Sequence, residues 1–178
     1  MSQPSLIICP GVHSPQLTSS FVRDNIQQEY LIFSTEQDLP YNAIAIERWL
    51  KQHYPSPVDA PALSFIAFSA GVVGGFGAVK IWQLQGGKIA NFIAFDGWGM
   101  PLFGNFPIYR VSHDRFTHWS SSILGGGSGG FYADPEVEHL ELWRSPHTCW
   151  GWQVISSGIK TRCLLTEYLQ NILSFSNS

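Results

Sequence analysis

The stretch from Leu63 to Gly75, Leu-Ser-Phe-Ile-Ala-Phe-Ser-Ala-Gly-Val-Val-Gly-Gly, constrains this chain more than any other. An apolar run, Leu63 to Phe68, ends at Ser69, and a segment of helical length follows to about Leu84. A short apolar run of this kind reads as a strand buried on both faces. The residues around Ser69 are small: Ala67 two before, Ala70 just after, Gly71 two after. Small residues let a strand and the helix that follows it approach closely. The pattern therefore predicts strand, sharp turn and helix, with the Ser69 hydroxyl held out at the carboxyl edge of a sheet. A plainer reading is a buried strand followed by a glycine-lined packing helix.

The remaining segments supply a sheet for that unit to join. Leu6 to Cys9 is a short apolar run closed by Pro10-Gly11, and Tyr30 to Phe33 is a second. Ile89 to Phe95, closed by Asp96-Gly97, Ile108 to Val111, and Leu140 to Trp143 continue the series. Helices are expected over about 18–28, from Asp38-Leu39-Pro40 to Tyr54, and over about 161–175. Gly86-Gly87 should end the helix after Ser69, since glycine suits a left-handed cap. Short apolar strands alternating with helices predict an α/β fold, with about six mostly parallel strands between helical layers.

Composition narrows the class. The chain has 178 residues, 44% hydrophobic and 13% charged, which fits a single globular domain over 1–178 rather than disorder. The net charge of -3 and scattered Lys and Arg argue against a nucleic-acid partner. No apolar run is long enough to span a membrane, and Met1 to Ser5 has no basic leader. Cys9, Cys149 and Cys163 lack zinc-site spacing, and free thiols suit a cytoplasmic location. The sequence leaves the oligomeric state open.

In a parallel sheet, ligands sit beyond the carboxyl ends of the strands. The residues there are Gly11, Val12 and His13; Ser69; Asp96; Ser112, His113 and Asp114; and Ser145, Pro146 and His147. The order serine, acid, histidine, with A-x-S-x-G around the serine, resembles the nucleophile elbow and triad of the α/β-hydrolase superfamily. The segments 107–114 and 140–147 look like that family's acid-bearing and histidine-bearing turns. Pro10-Gly11-Val12-His13 resembles its oxyanion loop. The chain is similar in size and layout to the minimal, lidless bacterial lipases and esterases, whose fold is a three-layer α/β/α sandwich.

That resemblance implies a serine hydrolase acting on a small ester or thioester through an acyl-enzyme. Ser69 would be the nucleophile, His147 the base and Asp114 the orienting acid. The backbone N–H groups of Ala70 and Val12 would bind the oxyanion. Asp96 is the alternative acid, otherwise a structural aspartate. His118 and His139 are alternative bases, although His139 precedes the segment 140–143 and would lie at the wrong edge of a strand there. His113 is expected to support the site rather than react. His113 and His118 do not form an H-E-x-x-H pattern, so neither a metal nor a cofactor is expected. The partner is a small-molecule substrate. The same triad also serves amidases and peptidases, and a non-catalytic hydrolase-like protein that binds a small ligand or partner protein is the main rival. Gly125 to Gly130 reads as a solvated linker or mobile flap. Trp98, Trp119, Trp150 and Trp152 could wall an apolar site or simply pack.

Overall fold

The computed structural model describes residues 5–97, 99–125, 127–156 and 159–175. Its elements run β1 (Leu6–Cys9), α1 (Pro15–Asn25), β2 (Tyr30–Ile32), α2 (Ala43–His53), β3 (Leu63–Phe68), α3 (Ala70–Leu84) and β4 (Ile89–Phe95). They continue with β5 (Ile108–Ser112), α4 (Arg115–Ile123), β6 (Gly129–Ala133), α5 (Glu141–Arg144), β7 (Trp150–Ser156), β8 (Ile159–Leu164) and α6 (Leu165–Phe175). The eight strands form one sheet in the order β2-β1-β3-β4-β5-β6-β7-β8. The pairs from β2 through β6 are parallel, whereas β6–β7 and β7–β8 are antiparallel. Among the described residues no helix is long and apolar enough to cross a membrane.

The apolar runs become central strands because alternate residues feed two separate cores. Leu6, Ile8, Ile66, Phe68, Ile93 and Phe95 enter one cluster with Phe21 of α1, Trp143 of α5 and Leu169 of α6. Ile7, Cys9, Phe65, Ala67, Phe92 and Ala94 enter the other with Ile46 of α2 and Phe76 and Val79 of α3. Each fully buried side chain of this kind contributes roughly 1.5–3 kcal/mol. Strands covered on both faces need no polar alternation, which is why these segments carry almost none.

Helix limits follow local chemistry. Pro15 occupies the first turn of α1, where its missing N–H costs nothing, so the helix starts three residues earlier than the apolar spacing predicts. Asn42 caps α2 by accepting the Ala45 N–H at 3.2 Å, and Asp38 instead accepts from the Asn42 amide. Gly86, at φ +87°, ends α3 as expected.

Beyond β5 the fold departs from expectation. The sheet has eight strands rather than about six. The expected sixth strand, Leu140 to Trp143, is instead the short helix α5. An apolar run of that length has no helix or strand signature of its own, and packing decides it. As a helix it buries Leu142 and Trp143, with Trp143 stacked on Phe21 at 3.6 Å between ring centroids. The true sixth strand is Gly129–Ala133, whose first residues belong to the glycine run read as a linker. The segment 161–164 extends an exposed edge strand, β8, before α6 begins at Leu165. Its antiparallel pairing with β7 overrides the helical expectation for 161–164, while the segment that follows is helical as expected.

Candidate active site

Two adjacent strands end in strained residues. Among the described residues Ser69 (φ 53°) and Asp96 (φ 48°) are the non-glycine positions with positive φ. Such conformations cost about 1–3 kcal/mol each and persist only where surrounding structure enforces them. Here the ladder does so: the Ser69 N–H donates to Phe95 O and the Asp96 N–H to Val111 O, each at 2.8 Å. Ser69 is then the residue preceding α3, at the junction the sequence pattern predicts.

The small neighbours are required by space. A Cβ on Gly71 would lie 2.3 Å from the carbonyl oxygens of both Cys9 and Pro10. A Cβ on Gly11 would lie 2.8 Å from Phe68 O and 3.1 Å from the Ser69 Cβ. The loop after β1 therefore sits directly against the start of α3. Ala70 opens that helix, where the first amides have no partner within the helix. In the facing loop the His13 N–H is used by Gly11 O at 3.2 Å, and Val12 is exposed. Of that loop it is Gly11 that packs against the serine turn, with Val12 the next residue along and Ala70 the first residue of α3.

Ser69, Ala70, Val73, Asp96, His113, Phe116, Thr117 and His139 line a cavity of about 470 Å³. Its polar wall is built around the Asp96 carboxylate, whose side chain is only 2% exposed. Oδ1 accepts the His113 backbone N–H at 2.9 Å. Oδ2 is reached by His113 Nδ1 at 2.9 Å and by His139 Nδ1 at 2.7 Å. His113 Nε2 lies 2.7 Å from Asp114 Oδ2, so this imidazole spans two carboxylates. His139 is brought here by the loop after β6, where the Val137 N–H donates to His113 O at 3.1 Å. Its ring stacks on Phe68, the residue before Ser69, at 4.8 Å.

The site thus draws its histidines from 113 and 139, and not from 147. His147 follows α5, is exposed, and acts electrostatically on Asp24 at the end of α1. Because 140–143 is a helix, the turn after it no longer lies at the strand ends. Because the preceding strand is β6, His139 does. Asp114 is the N-cap of α4: it accepts the Thr117 N–H at 2.6 Å and the Thr117 hydroxyl at 2.9 Å. Burial works to raise its carboxyl; the Thr117 hydrogen bonds and His113 outweigh that and hold it below the usual range. It reaches the wall only through His113. His118, also on α4, is directed instead toward Tyr132 (5.5 Å) and β6, and burial followed by Arg110 lowers its pKa.

His13 joins the edge of this wall. Its Nε2 lies 2.8 Å from the Thr18 hydroxyl, and its ring meets Phe68 edge-on at 5.4 Å. Burial first, and the nearby His139 second, lower its pKa. Burial pushes the thiols of Cys9 and Cys149 up to about 12, so both are inert there. Trp119 on α4 is mostly exposed, Trp150 on β7 is about half exposed, and Trp152 donates to Asp134 at 2.7 Å. None of these three lines the Ser69 cavity. Trp98 lies outside the described residues, as do Gly126 of the glycine run and Met1 to Pro4.

No protein family matches this chain, and no curated protein matches it.

Proposed function

We propose that this protein is a serine hydrolase of small esters or thioesters, with Ser69 as nucleophile, His139 as base and Asp96 as the acid that orients it. One observation carries the reading. A serine held at φ 53° between a buried strand and a helix shares a cavity with a histidine whose Nδ1 is 2.7 Å from a buried carboxylate. A serine hydroxyl is a poor nucleophile without a base, and a base needs a partner that fixes its tautomer. With Nδ1–H given to Asp96, the Nε2 lone pair of His139 is the atom free to take the Ser69 proton. The imidazolium that forms is stabilised by the same carboxylate, then returns the proton to the leaving group. The Ala70 and Val12 N–H groups would hold the oxyanion. The resemblance to lidless α/β-hydrolases with a three-layer sandwich supports this reading, as do the parallel order of β1 to β6 and the helices covering both faces.

The cavity walls favour a small, apolar acyl or aryl group, since Ala70, Val73 and Phe116 face the polar wall. The test is hydrolysis of short aryl esters by wild type, Ser69→Ala, His139→Ala and His147→Ala. Loss of turnover in the first two variants with retention in the third is expected. Undiminished turnover in His139→Ala, or loss in His147→Ala with the fold intact, would refute the assignment of the base.

A further inference from the structure

The polar wall holds more donor groups than a triad needs. A serine, a histidine and an aspartate suffice, yet His113 brings a second imidazole to the same carboxylate oxygen. One ligand atom from each of Asp96, His113 and His139 lies within 4.8 Å of the others. A carboxylate and two imidazoles converging with an open side form the donor set of mononuclear transition-metal centres. His113 also carries the outer feature such centres use. Its Nδ1 points into the cluster while its Nε2 meets Asp114 Oδ2 at 2.7 Å. A carboxylate on the far nitrogen fixes the ring and leaves the near nitrogen its lone pair. Asp114 is itself anchored by Thr117, and Asp96 Oδ1 by the His113 N–H. The frame is therefore set by hydrogen bonds outside the donor atoms.

We propose that Asp96, His113 and His139 form a binding site for one divalent transition-metal ion of the zinc class, and that its occupancy and the serine chemistry exclude one another. The second half rests on the serine-hydrolase reading; the first does not. In a tetrahedral zinc site, ligand atoms about 2.0–2.1 Å from the ion stand about 3.3 Å apart. The two imidazole nitrogens are now 2.9 and 2.7 Å from Asp96 Oδ2. Lengthening the two Asp96 contacts by about half an ångström, and drawing the two imidazoles, whose ligand atoms lie within 4.8 Å of one another, toward the same spacing, admits an ion, and the cavity of about 470 Å³ on the open side leaves room for a fourth, solvent ligand.

Exclusion follows from the His139 tautomer. As a base, His139 keeps its proton on Nδ1 for Asp96 and its lone pair on Nε2 for Ser69. As a ligand it gives the Nδ1 lone pair to the ion and must carry its proton on Nε2. One neutral ring cannot do both. The ion would also take Asp96 Oδ2, the atom that orients the base.

The experiment measures binding apart from turnover. Metal-free protein is titrated with Co²⁺, read by its visible absorption bands, and with Zn²⁺ by calorimetry. One equivalent should bind to wild type and to Ser69→Ala alike. His113→Ala and Asp96→Asn should each lower affinity by more than about 100-fold, and Asp114→Asn by about 10–100-fold. Circular dichroism confirms folding, and His113→Gln serves if His113→Ala does not fold. Saturating Zn²⁺ should suppress fluorophosphonate labelling of wild type, and a chelator should restore it. Absence of one-equivalent binding, or binding indifferent to His113 and Asp96, would overturn the site. Full labelling in the presence of bound Zn²⁺, or metal-stimulated ester hydrolysis by Ser69→Ala, would overturn the exclusion. A wild type that binds the ion through these residues but never labels would sink the hydrolase reading and leave the metal site standing.

Discussion

Replacing Asp96 by asparagine separates the two aspartates of the site most sharply. The change keeps size and keeps Oδ1 for the His113 N–H, now 2.9 Å away. It puts an NH₂ where Oδ2 stood, facing His139 Nδ1 at 2.7 Å and His113 Nδ1 at 2.9 Å. Two donors cannot face each other, so His139 is driven to the tautomer with its proton on Nε2. That ring presents an N–H to Ser69 and cannot accept the serine proton. The corresponding change in a serine-protease triad costs about 10⁴ in kcat, or about 5.5 kcal/mol of barrier. Asp114→Asn should behave differently. Asparagine caps a helix about as well as aspartate, so α4 survives with a loss under about 1 kcal/mol. Asp114 touches His113 and not His139, so kcat should fall by less than about tenfold, far short of the loss from removing the orienting acid. The assay is kcat on an aryl ester with a chelator present, with thermal melts to confirm folding. Near-normal turnover in Asp96→Asn, or a loss in Asp114→Asn as severe as that expected for Asp96→Asn, would refute the reasoning.

Two further outcomes test the packing behind the site. Gly71→Ala puts a methyl 2.3 Å from the carbonyl oxygens of Cys9 and Pro10, both backbone atoms. Overpacking of about 1–3 kcal/mol should exceed alanine's helix advantage of about 1 kcal/mol; a melting temperature equal to or above wild type would contradict the close approach. Cys9 and Cys149, with thiols raised to about 12, should react with alkylating reagents at pH 8 about 10³-fold more slowly than free cysteine, gaining speed as pH rises. Mass mapping that finds either labelled before Cys163 in folded protein would contradict their burial.

The first half of the fold was legible because its signals are redundant. Leu63 to Phe68 is strand-length and almost wholly apolar, Ser69 interrupts it, and Gly71 stands where a Cβ would lie 2.3 Å from the Cys9 and Pro10 carbonyl oxygens. The order of strands up to Ile108–Ser112 follows from runs of the same kind. Legibility failed where a strand is written in glycine. Gly129-Gly130 begins β6, and Gly130 is small because a Cβ there would lie 2.3 Å from His118 Cε1. Reading that run as a linker gave the sixth place in the sheet to 140–143, moved the expected base to 147, and placed His139 before a strand instead of after one; the two strands beyond six are β7 and β8. The role of His113 had no local signal. Its convergence with Asp96 and His139 joins three loops distant in sequence, tied by the His113 N–H to Asp96 Oδ1 and the Val137 N–H to His113 O.

Covalent labelling tests the central claim most directly. Folded, metal-free protein is treated with a fluorophosphonate, and the adduct is counted by intact mass and located by peptide mapping. The account predicts one adduct, on Ser69, abolished in Ser69→Ala and slowed by orders of magnitude in His139→Ala and Asp96→Asn. Folded protein that carries no adduct, or one that maps to another serine, would contradict it.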